Sequence, residues 1–154
     1  MTHTAEMLDA YPAEINLDKR ELAQAIDALM NCAQTCTACA DACLSESPDM
    51  LGHLTRCIRD NLDCADICTT TAMVLSRHTG YDARLTKAQV QAAMQALMTC
   101  ADSCGEHRDM HDHCRVCEEA CRSTYDMLGR LEPHLQPSGD APSVPSQSRP
   151  QAGS

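Results

Sequence analysis

Between residues 18 and 131 the apolar positions recur every three or four residues, the period of one face of an α-helix. Punctuation divides this pattern into four stretches. Asp18, with Glu21 three residues on, makes a capping-box start for a helix running to about Ser45. Ser47, followed by Pro48 in the first helical position, starts a second that stops near His78, ahead of Gly80. A third is predicted from Thr86, with Gln89 three residues later, to about His107, and a fourth from about Met110 to Leu131, ended by Pro133. A helix unbroken from Thr86 to Leu131 would be a rod of about 46 residues, roughly 70 Å. That is too long for a domain of this size, so a turn is placed near residues 105–110, at Gly105 and the Asp/His cluster.

Short connections make neighbouring helices antiparallel, so the predicted fold is all-α, an antiparallel up-down-up-down four-helix bundle over residues 17–132. Residues 1–16 form an N-terminal extension with room for a short helix around Ala5 to Ala10. From Pro133 to the end the chain is Pro, Ser, Gly and Gln with few large apolar residues, which predicts a disordered Pro/Ser-rich tail over 133–154.

Composition changes what the core must be. The 154 residues include no Phe, no Trp and 3 Tyr, but 12 Cys and 9 Met, so sulfur replaces aromatic bulk in the interior. A net charge of −10 argues against nucleic-acid binding, which needs a basic stripe, and suits uptake of cations. Met1 to Ile15 lack an export signal, and no stretch nears the roughly 20 apolar residues of a membrane span. A cytoplasmic location is therefore expected. In that compartment thiols stay reduced, and a dozen of them read as metal ligands or redox groups before disulfides.

The cysteines follow the helical register. Cys32, Cys36, Cys39 and Cys43 stand at offsets 0, 4, 7 and 11, one face of a helix over three turns. Cys57, Asn61, Cys64 and Cys68 repeat those offsets on the second helix. The third stretch gives Cys100, Cys104, His107 and His111, and the fourth gives Met110, Cys114, Cys117 and Cys121, with His111 and Met110 at the turn. Residues three or four apart have Cβ atoms about 5–6 Å apart, beyond the roughly 3.5–4.5 Å of a disulfide. A metal bridging two sulfurs spans that distance with modest side-chain rotation. The stripe is poor for disulfides and good for metals.

Softness narrows the metal. Thiolates with Met and His nearby favour Cu(I), Zn(II) or iron–sulfur clusters over Mg or Ca. Iron–sulfur motifs set cysteines on irregular loops, often before Pro, and zinc sites are closed tetrahedral sets on knuckles with their own turns. A continuous helical ladder suits a row of Cu(I) ions sharing thiolates. Zinc or a general thiolate metal reservoir stays open as an alternative, as does a thiol redox sensor, although nothing singles out one activated cysteine pair. Inward Glu-x-x-His motifs for di-iron chemistry, a nucleotide loop and a nucleophile–base pair are all missing from the pattern, so no enzyme is expected.

In an up-down-up-down bundle the first and third turns share an end. That end gathers Met50, His53, His107, Met110, His111 and His113, with Cys43, Cys57, Cys104 and Cys114 just inside, and reads as a mouth where metal passes inward. Toward the other end the expected inward residues are Leu22, Ile26, Leu29, Met73, Leu75, Val90, Met94, Leu97, Leu128 and Leu131, an apolar plug. Met73, Met94, Met98 and Met127 read as core filler, and His3, His78 and His134 as surface residues. Asp41, Asp63, Asp66, Glu118 and Glu119 read as solvated faces.

With this register laid out, residues 18–131 resemble the bacterial copper storage proteins. The resemblance is carried by Cys32-x3-Cys36-x2-Cys39-x3-Cys43 and by His107-Arg-Asp-Met-His111-Asp-His113-Cys114-Arg-Val-Cys117-Glu-Glu-Ala-Cys121. It implies the cytosolic branch, Cu(I) held mainly by cysteine pairs along the core, histidines at the open end, and a homo-oligomer, commonly a tetramer. A copper chaperone or a small-molecule thiol is the expected donor. Asn61 stands where a thiol would fit and the far half is Leu, Met and Val, so a smaller load than in the most cysteine-rich members is expected.

Overall fold

The computed structural model describes residues 2–135. The helices are α1 (His3–Asp9), α2 (Lys19–Leu44), α3 (Pro48–Leu75), α4 (Ala83–Gly105) and α5 (Asp112–Leu131), followed by a 3-10 turn at Glu132–His134; among the described residues there is no strand. The α2 cap is as the sequence predicts, with Asp18 accepting from the Glu21 N–H at 2.9 Å. Ser47 makes no side-chain cap bond, and Pro48 at the start of α3 has no N–H to satisfy. The third bundle helix starts earlier than Thr86. Oδ1 of Asp82 accepts from both Arg84 and Leu85, while the Thr86 hydroxyl turns back to the Asp82 carbonyl at 2.9 Å. Gly80, at φ 62°, supplies the left-handed residue that turns the chain between α3 and α4. The α5 helix begins at Asp112, two residues later than expected, with His111 as its N-cap and Met110 left in the turn, 60% exposed.

Helix α2 packs on α3 and α5, and α4 packs on α3 and α5, closing a ring around one core. Cys32 meets Cys121 while Cys36 meets Cys117, so α2 and α5 run in opposite directions. Cys57 meets Cys104 while Thr71 meets Gln89, so α3 and α4 do the same. The α1 helix lies on α2, pinned by the Thr2 and Thr4 hydroxyls on the Asp27 carboxylate at 2.9 and 2.6 Å.

The far half of the core is aliphatic, as expected: Leu22, Leu29, Leu75, Val90, Leu97, Leu128 and Leu131 are buried. Two expected members differ. Met73 is 42% exposed, because the inward stripe of α3 runs through Cys68, Ala72 and Leu75 and passes it by. Met94 is half-buried and lines an outer groove with Met98 and Tyr125. Pro133 and His134 complete the 3-10 turn, and Leu135 is buried rather than part of a tail. The rest of the expected tail, 136–154, lies outside the described residues.

Two residues assigned to the surface are buried. His78 is 7% exposed, edge-on to Tyr11 at 5.6 Å between ring centroids and stacked on Tyr81 at 6.5 Å. Burial lowers its imidazole pKa, favouring the neutral ring. Together with the Tyr11–Thr79 hydroxyl contact at 3.0 Å, this latches the N-terminal extension to the α3–α4 turn. Glu118, 6% exposed, accepts from Arg108 Nη1 at 2.6 Å and Arg122 Nε at 3.0 Å. A Cβ on Gly105 would sit 3.0 Å from Glu118 Oε1, so glycine gives this carboxylate its approach to the backbone. The cluster ties the α4–α5 turn, which carries the histidines, to the body of α5.

Candidate metal centre

Every cysteine predicted as a ligand turns inward. All twelve are 2% exposed or less, and all are free thiols. Cys32, Cys36, Cys39 and Cys43 project from α2, Cys57, Cys64 and Cys68 from α3, Cys100 and Cys104 from α4, and Cys114, Cys117 and Cys121 from α5. The i, i+4 spacing stacks them, and the bundle brings four stacks face to face.

The sulfurs form a continuous network. Cys36 Sγ lies 3.9 Å from Cys32 and Cys100 and 3.7 Å from Cys117 and Cys121. Cys57 is 3.5 Å from Cys104, and Cys64 is 3.8 Å from Cys68. Two metal–sulfur bonds of about 2.3 Å meeting at a near-tetrahedral angle span about 3.8 Å. The sulfurs therefore stand at ligand spacing. Four ligand atoms lie mutually within 4.8 Å in each of Cys32/Cys36/Cys64/Cys121, Cys36/Cys100/Cys117/Cys121 and Cys39/Cys43/His113/Cys114; Cys39, Cys104 and Cys117 form a further group. Cys36 and Cys121 belong to two groups at once, as do Cys39 and Cys117. Cys57 and Cys68 join through their pair contacts only.

Asn61, read as a gap in the ladder, is fully buried within it. Its Oδ1 accepts from Cys100 and Cys117 at 3.0 Å and from Cys104 at 3.6 Å, and its Nδ2 donates to Cys57 at 3.6 Å. Sulfur thus satisfies the amide at both ends. The buried carbonyl oxygen is a shared hydrogen-bond acceptor in the thiol core.

The thiols do not share one acidity. Cys39 is held low, first by the neighbouring thiol of Cys104 and then by that of Cys114; Cys64 is held low by Cys100 and then Cys121. Others move the opposite way: Cys114 is pushed up by Cys39 first, and Cys36 by Cys100 first. Cys43 rises to about 11 because of burial and then the charge on Cys39. A dry sulfur cluster tolerates few bare anions. Metal binding must then expel protons as positive charge enters.

The α2–α3 turn meets the α4–α5 turn at one end of the bundle. Nδ1 of His113 lies 3.5 Å from the sulfurs of Cys39 and Cys114 and 3.9 Å from Cys43, while its Nε2 lies 2.9 Å from Glu46 Oε1. Burial pulls the His113 pKa down, but Cys39 and Glu46 outweigh it and the net shift is upward. Glu46 is shifted down, first by its bond to His113. His111 Nδ1 is 3.1 Å from the same Glu46 oxygen. His107 Nδ1 pairs with the Ser103 carbonyl at 3.0 Å, which makes this nitrogen the protonated one and frees Nε2 for a ligand.

His53, His107 and Met110 do not join these groups. His53 is exposed, because the inward stripe of α3 takes Leu54, three residues before Cys57, instead of the residue four before it. Met110 points outward from the turn, and Met50 packs half-buried against the core. Sequence reasoning missed Glu46. Its only signal was a position in the turn opposite the histidines.

The copper storage protein profile matches residues 18–130, which carry the thiol ladder and the histidine turn. The chain belongs to this family. Among solved copper storage proteins, that of Streptomyces lividans loaded with 10 copper equivalents is 50% identical, with 85% of this chain and 98% of that one covered and a TM-score of 0.82. A structure of copper loading to a cytosolic copper storage protein from Streptomyces lividans, with five coppers, is 54% identical over 74% of this chain and 93% of that one, at a TM-score of 0.72. A cysteine-rich protein of Bacillus subtilis (strain 168), YhjQ, is 33% identical over 95 residues, 62% of this chain and 81% of its own length. No helix among the described residues of this copper storage protein is long and apolar enough to cross a membrane.

Proposed function

We propose that the chain stores or sequesters several Cu(I) ions in the cytoplasm, held by cysteine thiolates inside an antiparallel up-down-up-down four-helix bundle and loaded through the histidine end. The observation that carries this reading is the sharing of Cys36 and Cys121 between two four-sulfur groups in a dry core. The two groups contain six different cysteines, and because thiolate bridges Zn(II) as well as Cu(I), the choice of copper rests on the family and on the copper held by its solved members. Shared thiolates bridge ions, which suits a soft monovalent cation in a cluster. Copper in the Streptomyces lividans structures supports the same reading.

Ions enter past His107, His111 and His113, meet Cys39, Cys43 and Cys114, and move along the ladder toward Cys32 and Cys68. The leucine plug closes the other end, so loading and release use one mouth. In this reading the protein acts as a binder. A homo-oligomer, a tetramer by family resemblance, and delivery by a copper chaperone or a small thiol fit this role.

Zinc storage predicts a different outcome in competition. The reduced protein preloaded with Zn(II) and then given Cu(I) is expected to release all its zinc, while excess Zn(II) displaces no copper from the Cu(I)-loaded form. Zinc retained against Cu(I), measured by metal analysis after desalting, would assign the reservoir to zinc.

A further inference from the structure

The α2–α3 turn sets Glu46 between two stacked imidazoles. A single carboxylate oxygen, Oε1, lies 3.1 Å from Nδ1 of His111 and 2.9 Å from Nε2 of His113. The two rings are 5.3 Å apart between centroids and 19° from parallel. An ionised carboxylate only accepts hydrogen bonds. Both rings must therefore direct an N–H at it, His111 from Nδ1 and His113 from Nε2.

In a neutral imidazole the other nitrogen then carries the lone pair. For His113 that nitrogen is Nδ1, facing the sulfurs of Cys39 and Cys114 at 3.5 Å. For His111 it is Nε2, which is buried without any hydrogen-bond partner, on a side chain only 10% exposed. A buried acceptor left bare is costly, and a bound cation would relieve it. The choice of tautomer is not automatic. Without the carboxylate, the ring proton of His113 has an acceptor on its inner side, since the cysteine sulfurs lie within reach of Nδ1. A proton there would cap the nitrogen that faces the thiols.

We propose that Glu46 is the positioning residue of the mouth: it holds His111 and His113 in opposite tautomers, so that each keeps a bare ring nitrogen ready for an incoming Cu(I) ion. Glu46 itself need not touch the metal. It plays the part of the outer carboxylate that orients a ligating histidine through the far side of the ring. One oxygen serving two rings also couples them, so loss of the carboxylate releases both at once. The inference rests on the reading of this end as the place where copper enters.

The test is long-range ¹H–¹⁵N correlation on the metal-free reduced protein, at a pH where both rings are neutral, with Cu(I) transfer rates from a weak chelator measured beside it. The wild type is expected to give the Nδ1–H form of His111 and the Nε2–H form of His113. Glu46→Ala should turn both into mixtures and slow transfer by about tenfold, the lower end of what loss of an orienting partner does. Glu46→Gln, which keeps a carbonyl acceptor, should restore the tautomer of at least one ring and part of the rate. Tautomers unchanged in Glu46→Ala, or changed tautomers with unaltered transfer, would overturn the proposal. Unaltered transfer in His113→Ala would instead overturn the reading of this end as the mouth.

Discussion

Substituting Cys36 and Cys121 together by serine is expected to cost the core most of its tightly held copper. These two sulfurs are common to both central four-sulfur groups, so their loss leaves Cys32 with Cys64 in one and Cys100 with Cys117 in the other. Removing a mere orienting partner of a metal ligand costs about 10–100-fold in affinity, and deleting two bridging ligands must cost more than the upper figure. The fold should survive. Serine is close to cysteine in size, and in a helix its hydroxyl can bond the carbonyl four residues back, as Thr37, Thr69 and Thr124 already do in this bundle. Far-ultraviolet circular dichroism checks the helices, and Cu(I) competition with a strong chelator measures the loss. A Cys43→Ser variant is the internal control, since Cys43 belongs to the mouth group alone and should lower uptake far less.

Leu97→Ala should produce the opposite profile. Leu97 is fully buried on the aliphatic side of the core, one turn before Cys100 on α4, and itself offers no ligand atom. Truncating a buried leucine to alanine removes its transfer energy and leaves a cavity, a cost of about 2–5 kcal/mol. The metal-free variant should therefore unfold at lower denaturant, with an unchanged slope. Copper equivalents bound should stay at the wild-type number, because the plug carries no ligand. Copper binds only the folded form and so should recover much of the lost stability. A fall in copper number would mean that the two halves of the core are not separable as described.

The bundle was legible because caps and sulfurs obey short-range rules. Asp18, Pro48 and the four-helix spacing of cysteine are local signals, and the structure follows them. The misses lie where one residue's place depends on another helix. Glu118 looks like any acid on a polar face until Arg108 and Arg122 close over it, and His78 looks like a loop residue until Tyr11 and Tyr81 arrive from distant segments. His53 stands four residues before Cys57, a spacing that fits the register. Leu54, three before, fits as well and is apolar, so it takes the core. Glu46 could not be found from spacing at all, because its partners lie on the opposite turn. Asn61 was placed correctly in the stripe, but only the surrounding thiols reveal its oxygen as a shared acceptor rather than an empty rung.

The central claim is that this core holds a row of cuprous ions. Anaerobic titration of the fully reduced protein with Cu(I), against a chelator strong enough to strip weak sites, tests it directly. Several equivalents per chain taken from the chelator before any colour of the chelator complex appears is the predicted result. Uptake of one equivalent or none, with all 12 thiols reduced, would contradict it.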